Sequence, residues 1–292
     1  MLVVLPECPT LLPTRIKYCP RIRFKGLDTP KSISIIIPTL NEEQGIGSVI
    51  DEIPVQQLRE SGFLTEVIVV DSCSRDRTVE IAKSKGARVI TEPRLGYFRA
   101  YKTGFENAKG DYIATLDADG TYPASEIPRL LAILLSENLI FVTTNRFANI
   151  LQGSMSAVRQ VGNRLLSLAG AVLFGVRLED LLSGMWVFRK SILDSVQVES
   201  NHDGSVEELK IRTNLVSRRI KEFPISYRPR LGKGNQFVPL IHGLRELSAM
   251  LRLRFKINGY VSRGPNSILG PSKLSSFNTL VGKGKFWQGK KS

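Results

Sequence analysis

Short β-branched runs alternate with amphipathic segments along the first half of the chain. The runs are apolar at successive positions, as in strands buried on both faces of a parallel sheet. The strands predicted in this way are 32–38, 66–70, 87–91 and 112–116. The helices predicted between and after them are 44–53, 79–85 and 126–135. Asn41 and Ser125 are the expected caps of the first and the last of these helices. The alternation indicates an α/β fold with a doubly wound, mostly parallel sheet flanked by helices.

Three further segments have their own patterns. Apolar residues recur at helical spacing in 159–178, which fits either a helix packed on the sheet or one lying in a membrane interface. The segment 239–254 is amphipathic and is also predicted as a helix. By contrast, 96–104 is bounded by glycines and contains Arg99 and Lys102, so we predict a basic turn. No span reaches the ~20 apolar residues that a bilayer crossing needs, and no transmembrane helix is expected.

Composition divides the 292 residues into three parts. A basic, proline-rich extension covers 1–31, and the globular domain covers 32–250, with a first half at 32–128 and a second at 129–250. The tail, 251–292, is basic and lies in a region without Asp or Glu. The net charge of +14 points to an anionic partner, which could be nucleic acid, a membrane surface or a phosphorylated substrate. The three cysteines form no Cys-x-x-Cys pair, which favours a reducing, cytoplasmic compartment over a zinc site or disulfides.

Two of the predicted strands run directly into acidic residues. Asp71 follows the second strand, and Asp117 and Asp119 follow the fourth, where Gly120 and Pro123 prevent the strand from continuing. Binding crevices of open α/β sheets lie at this carboxyl edge. Two hard oxygen ligands there suit Mg²⁺ or Mn²⁺ together with a diphosphate. A polar turn that caps the next helix would have the same spacing, because Asp-x-Asp is common in turns.

The sequence lacks the motifs of two other classes of nucleotide-binding protein. The first strand is followed by Pro-Thr-Leu-Asn-Glu-Glu instead of the Gly-x-Gly-x-x-Gly of a dinucleotide fold, and there is no P-loop. A nucleic-acid-binding module would explain the charge, but an acidic crevice opposes a polyanion and no zinc module or aromatic platform is present. We therefore expect no nucleic-acid partner.

Three motifs together carry a family resemblance. They are Ile-Ile-Pro-Thr-Leu-Asn-Glu-Glu at 36–43, Val-Val-Asp-Ser-Cys-Ser-Arg-Asp-Arg-Thr at 69–78 and Leu-Asp-Ala-Asp-Gly-Thr-Tyr-Pro at 116–123. In this order and spacing they resemble the inverting family 2 glycosyltransferases of the GT-A fold. The closest branch is that of the polyprenyl-phosphate (dolichol-phosphate) mannose or glucose synthases. Looser matches follow at 144–147, 162–164, 180–185 and 222–227, with Arg230.

The resemblance implies a reaction and a set of site residues. A hexose, mannose or glucose, would pass with inversion from GDP-mannose or UDP-glucose to a polyprenyl or dolichyl phosphate. The residues implied in nucleotide-sugar binding are Pro38, Thr39, Asn41, Glu42, Asp71, Arg99, Asp117, Ala118 and Asp119. Asp117 and Asp119 would also hold the Mg²⁺ or Mn²⁺ cofactor. The implied catalytic residues are Asp117, Asp119, Arg146 and Arg230.

The acceptor side needs cations and no general base. A phosphate monoester is already largely anionic near neutral pH, since its second pKa is about 6. Arginine forks suit phosphate oxygens. The expected acceptor-phosphate residues are Arg146, Arg159, Arg164, Arg230 and Lys233. A lipid acceptor and the basic tail together predict a peripheral protein on the cytoplasmic face of a membrane.

Departures from the branch pattern keep an alternative open. Ser72 replaces the second carboxylate that usually follows Asp71, Phe98 stands where a small residue is common, and Trp186 replaces an arginine. Asn235 stands where a lysine is expected, near Lys233. These changes bear on donor identity more than on the reaction type. The alternative is a soluble transferase acting on a small phosphorylated acceptor such as a glycerate, a class that the Asp71-Ser72 step resembles.

Overall fold

A computed structural model describes residues 31–196, 198, 205–232 and 239–261. The N-terminal extension up to residue 30, Lys233, Asn235 and residues 262–292 of the tail lie outside the described residues. The chain divides into two compact units, 1–250 and 251–292. The described part of the second unit is 251–261, which is helical.

A seven-stranded sheet forms the centre of the first unit. Its strands are β1 Lys31–Thr39, β2 Phe63–Asp71, β3 Arg88–Thr91, β4 Tyr112–Thr115, β5 Phe141–Ile150, β6 Trp186–Arg189 and β7 Ile220–Tyr227. The order is β3-β2-β1-β4-β6-β5-β7. β6 is antiparallel to both of its neighbours, whereas the other pairs are parallel. The predicted mostly parallel α/β sheet and its first four strands are confirmed.

Helices cover both faces of the sheet. They are α1 Ile46–Glu52, α2 Val55–Glu60, α3 Thr78–Ser84, α4 Tyr97–Asn107, α5 Ile127–Ser136, α6 Ala157–Phe174, α7 Ser205–Ser217 and α8 Pro239–Val261. Two short 3₁₀ helices are Ala124–Glu126 and Lys190–Asp194. Among the described residues, none of the helices combines the length and the apolar character needed to cross a bilayer.

The β-branched run of β1 is explained by burial on both faces. Ile35 and Ile37 belong to one core cluster, and Ile36 belongs to the cluster on the opposite face. Because side chains alternate across a strand, a strand covered on both faces needs apolar residues at successive positions. All three isoleucines are fully buried, which places β1 at the centre of the sheet.

The predicted basic turn at 96–104 is wrong, because this stretch forms most of α4. The helix buries aromatic residues at helical spacing, Phe98, Tyr101 and Phe105. Gly104 is inside the helix, where a Cβ would meet Ile36 Cγ2 at 2.5 Å. The glycine therefore permits close packing of α4 on β1 and does not mark a turn. The aromatic spacing is the signal that predicts the helix.

The two predicted helix caps are also wrong. α1 begins at Ile46 without a side-chain cap, and Asn41 has a left-handed φ of 58°. The Asn41 Oδ1 instead accepts a hydrogen bond from the Arg75 backbone N–H at 2.8 Å. Ser125 lies in a 3₁₀ helix, and its hydroxyl donates to Glu52 Oε1 at 3.1 Å. Both side chains bond to residues that are distant along the chain, and local sequence rules do not anticipate such interactions.

The topology brings distant segments to one edge of the sheet. The parallel strands β1, β2, β4, β5 and β7 all end there. β6 runs the other way, and its first residue, Trp186, pairs with Thr115 near the end of β4. The turn that precedes β6 therefore lies at the same edge as the segment that follows β4.

Candidate active site

Asp119 is a buried carboxylate with both oxygens engaged. Its Oδ1 accepts from the backbone N–H and the hydroxyl of Thr121, at 3.1 and 2.7 Å. Its Oδ2 accepts from Nη1 of Arg230 at 2.8 Å. The turn after β4 thus fixes one oxygen locally, and the other faces a cation from the far end of the chain. This arrangement keeps a negative charge at the carboxyl edge of the sheet.

Asp117 is half-buried and accepts a hydrogen bond from the Tyr97 hydroxyl at the start of α4. Burial and, to a smaller extent, the neighbouring charge of Asp119 raise the pKa of Asp117 from 3.8 to about 7, against the lowering effect of the Tyr97 hydrogen bond. Two carboxylates that disfavour each other's charge are stabilised when a cation joins them. Tyr97 was missed as a site residue because its segment was predicted as a turn.

The carboxylates of Asp117 and Asp119 fit a divalent cation that is shared with a diphosphate. In the described part of the chain, three or more His, Cys, Asp or Glu side chains nowhere gather into a group able to hold a metal ion. Mg²⁺ is commonly bound by one or two carboxylates plus substrate phosphates and water, and it does not require an all-protein cage. The donor set is made of hard oxygens and is partly buried, as such an ion prefers.

A short segment after β7 crosses the site, and we call residues 228–232 the strap. Within it, the Arg230 guanidinium bridges Glu42 Oε1 and Asp119 Oδ2. The backbone N–H of Leu231 donates to the Asp119 carbonyl at 2.8 Å. The Nε of Arg230 is buried and has no hydrogen-bond partner among the described residues. The strap therefore brings a guanidinium with an unsatisfied donor to the acidic carboxylates.

The ends of β1 and β2 bring the residues predicted for the nucleoside side together. Asp71 is buried and accepts from the Thr39 hydroxyl at 3.3 Å and from the Ser74 backbone N–H at 3.0 Å. The Asn41 backbone N–H donates to the Ser74 hydroxyl at 2.8 Å. We call the four carboxylates Glu42, Asp71, Asp117 and Asp119 the acidic edge.

Pro38 and Ala118 are buried in the backbone that supports the acidic edge. Ala118 is packed closely by the loop that leads into α1. A Cβ on Gly45 would lie 2.4 Å from the Ala118 carbonyl oxygen, so this position requires glycine. The close approach locks the loop after β1 onto the loop after β4.

Arg146 is placed differently from the prediction. It is buried in the middle of β5, and its Nε and Nη2 donate to the two carboxylate oxygens of Asp180, each at 2.7 Å. The Arg146 backbone N–H donates to Asp180 Oδ2 as well, at 2.9 Å. A guanidinium fork that is filled by a carboxylate does not bind a phosphate at the same time. We therefore treat Arg146 as part of a structural ion pair and do not pursue the predicted phosphate contact.

The remaining predicted cations are spread over two helices. Arg99 is on α4, half-buried, with its Nε buried and unbonded among the described residues. Arg159 and Arg164 are exposed on α6, where Arg164 lies 5.0 Å above the Phe147 ring. The structure does not bring these two to the acidic edge, whereas Arg230 lies directly on it. Lys233 lies outside the described residues.

The turn at 180–185 forms a wall of the site. A Cβ on Gly184 would lie 3.3 Å from Asp117 Oδ1. The Gly184 N–H donates to the Tyr122 hydroxyl at 2.6 Å, and its carbonyl accepts from the Thr115 hydroxyl at 2.8 Å. The Ser183 and Thr144 hydroxyls lie 2.6 Å apart. Sequence reasoning matched this turn to a family segment but gave it no role, because its contacts come from four separate elements.

α6 has a buried face and an exposed apolar face. The buried residues include Leu166, Gly170 and Phe174. The exposed apolar face, which we call the α6 stripe, recurs at intervals of three and four residues with side chains 58–77% exposed: Val158, Val161, Leu165, Leu168 and Val172. The sequence contains no Asp or Glu from 138 to 178, whereas it has four arginines there. The helix is therefore packed on one face and exposed on the other, and the interpretation as a membrane-interface helix applies only to the stripe and stays a prediction.

The chain belongs to glycosyl transferase family 2, because the family model described as "Glycosyl transferase family 2" matches residues 34–197. This confirms the predicted family.

Two curated relatives come from Haloferax volcanii. The chain is 38% identical over 210 residues to the low-salt glycan biosynthesis hexosyltransferase Agl6, covering 71% of this chain and 50% of that protein. It is 32% identical over 201 residues to a dolichyl-phosphate hexose transferase, covering 69% of this chain and 85% of that protein. The chain thus spans about half the length of the first relative. The name of the second agrees with the predicted branch.

A solved structure is similar over most of the chain. It is glucosyl-3-phosphoglycerate synthase from Mycobacterium tuberculosis, in complex with Mn²⁺, UDP and glucosyl-3-phosphoglycerate. The identity is 27%, the TM-score is 0.63, and 77% of this chain and 80% of that chain are covered. The similarity confirms the predicted GT-A type of fold.

Proposed function

We propose that this protein transfers a hexose from a nucleotide sugar to a polyprenyl phosphate, with inversion and with the help of a divalent cation. The observation that carries the proposal is the acidic edge, where Asp119, next to Asp117, binds the guanidinium of Arg230. A carboxylate pair suits the donor diphosphate and its cation, and an arginine suits an acceptor phosphate. The family and the dolichyl-phosphate relative support the same reaction.

The donor side uses the ends of β1, β2 and β4. Asp71 can accept a hydrogen bond from a base N–H, beside Thr39 and Asn41 in the same pocket. Asp117 and Asp119 would hold Mg²⁺ or Mn²⁺, and when bound the ion offsets the charge that develops on the departing nucleoside diphosphate. Arg99 is the further cation proposed for the diphosphate, since its buried Nε lacks a partner among the described residues. GDP-mannose and UDP-glucose are the proposed donors.

The acceptor side centres on Arg230. Its two terminal nitrogens are held by Asp119 and Glu42, and its Nε, which has no partner among the described residues, is the donor that we assign to a phosphate oxygen. The acceptor phosphate is itself the nucleophile and is already anionic near neutral pH, so no side chain needs to remove a proton. Arg230 also offsets the negative charge of Glu42 and Asp119, which would otherwise repel the acceptor. We assign Arg159 and Arg164 to the membrane side, next to the α6 stripe.

The α6 stripe is the proposed contact with the membrane. Five aliphatic side chains on one face, with arginines and no acids nearby, suit an interface between acyl chains and anionic headgroups. A lipid acceptor must reach the acidic edge from a bilayer, and α6 belongs to the same compact unit. Cys73 is an exposed free thiol, which fits the reducing cytoplasmic side.

A second candidate is favoured by one observation. The solved structure similar to this chain is a transferase bound to a product of 3-phosphoglycerate. A soluble small-molecule transferase would share the acidic edge and Arg230. It would have no use for the α6 stripe, and for this reason we rank it second.

The test is a panel of nucleotide sugars with Mg²⁺ or Mn²⁺, offered with either polyprenyl phosphate in vesicles or 3-phosphoglycerate. We expect a lipid-linked hexose product from one donor, with the anomeric configuration inverted as read by NMR. A product from 3-phosphoglycerate, with polyprenyl phosphate left unchanged, would select the second candidate. No product from either acceptor with any donor would contradict both.

A further inference from the structure

The conformation of the 180–185 turn determines what lies beside Asp117. Gly184 is so close that a Cβ there would stand 3.3 Å from Asp117 Oδ1 and 3.1 Å from the Tyr97 hydroxyl. A small rotation of this backbone would therefore push into the carboxylate or open a gap next to it. Contacts that hold the carbonyl groups of the neighbouring residues away from the site therefore also restrict the position of Gly184.

Lys210 on α7 holds two of these carbonyl groups. Its side chain is completely buried. Its Nζ donates to the Leu181 carbonyl at 2.7 Å and to the Ser183 carbonyl at 2.6 Å. The indole Nε1–H of Trp186 donates to the Ser183 carbonyl as well, at 2.5 Å. The two carbonyls thus point into the protein, and Gly184 is left to line the site.

A fully buried lysine is costly unless its charge is compensated. Three influences act on Lys210. Its Nζ lies 5.2 Å above the Trp186 ring, a favourable cation–π position. Burial lowers the pKa of Lys210 from 10.5 to about 7, even though the charges of Asp180 and Glu207 act to raise it. An apolar residue would avoid the free-energy cost of burying the ammonium group. The two hydrogen bonds to the turn therefore offer a reason for a lysine at this position.

The same turn is held at its other end by a separate ion pair. Asp180 binds Arg146, and the Leu181 N–H donates to the Ser167 hydroxyl at 3.0 Å. These contacts fix where the turn starts. Nearer the site, Trp186 shares the Ser183 carbonyl, and Tyr122 and Thr115 bind Gly184 itself. Lys210 is the group that joins the Leu181 and Ser183 carbonyls to one buried charge.

We propose that Lys210 is a positioning residue for sugar transfer, because it holds the Leu181 and Ser183 carbonyls inward and so directs Gly184 against Asp117. The consequence for activity depends on the proposed function, whereas the positioning of the turn does not. Lys210 touches no reacting atom in this assignment. Its effect reaches the donor site through the backbone of the turn.

The test compares Lys210→Met with Lys190→Met. Lys190 is a matched control, because its Nζ also donates to a backbone carbonyl, that of Ala108, at the opposite end of β4. In Lys210→Met we expect the crystal structure to show the 181–184 backbone displaced. We expect kcat for hexose transfer to fall about 10- to 100-fold, as when a supporting residue is removed from a site, with KM changed less. Lys190→Met should keep both the turn and kcat.

Each outcome decides a separate question. An undisplaced turn in Lys210→Met, or a kcat equal to that of Lys190→Met at matched thermal stability, overturns the positioning role. A wild-type chain that transfers no hexose overturns the proposed function, and the crystal structure still decides the role of Lys210. If Lys210→Met does not fold, Lys210→Gln replaces it, since its amide can reach one carbonyl, and a smaller displacement with an intermediate kcat is then expected.

Discussion

The acidic edge and the part of the chain from 138 to 178 differ in the charged side chains that they contain and in how these are paired. At the acidic edge, four carboxylates gather at strand ends and face an arginine that retains an unsatisfied donor. From 138 to 178 there are no acids, the buried Arg146 is paired with Asp180, and the outward surface is the α6 stripe. One region is built to receive charged groups. The other has its buried charge paired and presents apolar surface.

The largest expected effect is at the acidic edge. Asp119→Ala removes a cation ligand and leaves the charge on the leaving diphosphate uncompensated, so kcat should fall by about 10³-fold, or about 4 kcal/mol. Calorimetry with Mn²⁺ and UDP or GDP should show weaker binding in parallel. The control is Asp111→Ala, at the other end of β4, where the carboxylate binds Ser32. Full activity of Asp119→Ala, or of the wild type in excess chelator, would falsify the metal assignment.

The paired charges of the second region predict a loss of stability. Asp180→Asn leaves the buried Arg146 guanidinium without a counter-charge, which should lower the free energy of unfolding by about 3–5 kcal/mol in urea titrations. Glu80→Gln breaks the exposed Arg77–Glu80 pair, whose side chains are 69% and 66% exposed, and should have almost no effect. Equal stability of the two variants would show that the buried pair is not a structural support.

The α6 stripe can be tested without touching the acidic edge. Leu165→Glu with Leu168→Glu should weaken binding to anionic vesicles at least about 100-fold, since burying each leucine is worth about 1.5–3 kcal/mol. Leu64→Glu is a matched control, because Leu64 is 62% exposed on β2. Sedimentation with vesicles containing phosphatidylserine measures the binding. Unchanged binding of the double variant would remove the membrane contact from α6 and leave the small-acceptor candidate stronger.

The smallest expected effect concerns Glu92, a buried carboxylate directly after β3. Hydrogen bonds from Arg94 and then Thr103 lower the pKa of Glu92 from 4.5 to about 2. Because the folded pKa is below the unfolded value, this stabilisation is present above about pH 4.5 and is lost as the pH falls toward about 2. Glu92→Gln should cost about 1 kcal/mol at neutral pH, a modest value because Arg94 is exposed.

The check is urea unfolding of both chains across this pH range. The difference between the wild type and Glu92→Gln should shrink as the pH is lowered from about 5 to about 3. A difference that stays constant with pH would mean that the carboxylate charge does not support this end of the sheet.

The sequence predicted best those features that depend on consecutive residues. The β-branched run of β1 and the acids after β2 and β4 are consecutive residues, and their placement at one edge follows from parallel pairing. The role of the turn at 180–185 could not be predicted, since its supports, Thr144 and Lys210, come from different elements. Arg146 was assigned to phosphate because a sequence does not show that Asp180 fills its fork. Gly104 misled the prediction of α4, because a glycine looks the same in a turn and in a tight helix contact.

The reversed direction of β6 has a consequence for engineering. Thr143 of β5 and Trp186 of β6 are paired neighbours in the sheet, and β5 stays paired with β7 as far as Ile150, so the segment 151–185, which includes α6 and the 180–185 turn, connects two neighbouring strands. A segment with adjacent ends can be exchanged with little effect on the strands that anchor it. Replacement of 151–185 by the corresponding piece of a family member would therefore change the α6 stripe while keeping the strands of the sheet and Arg230.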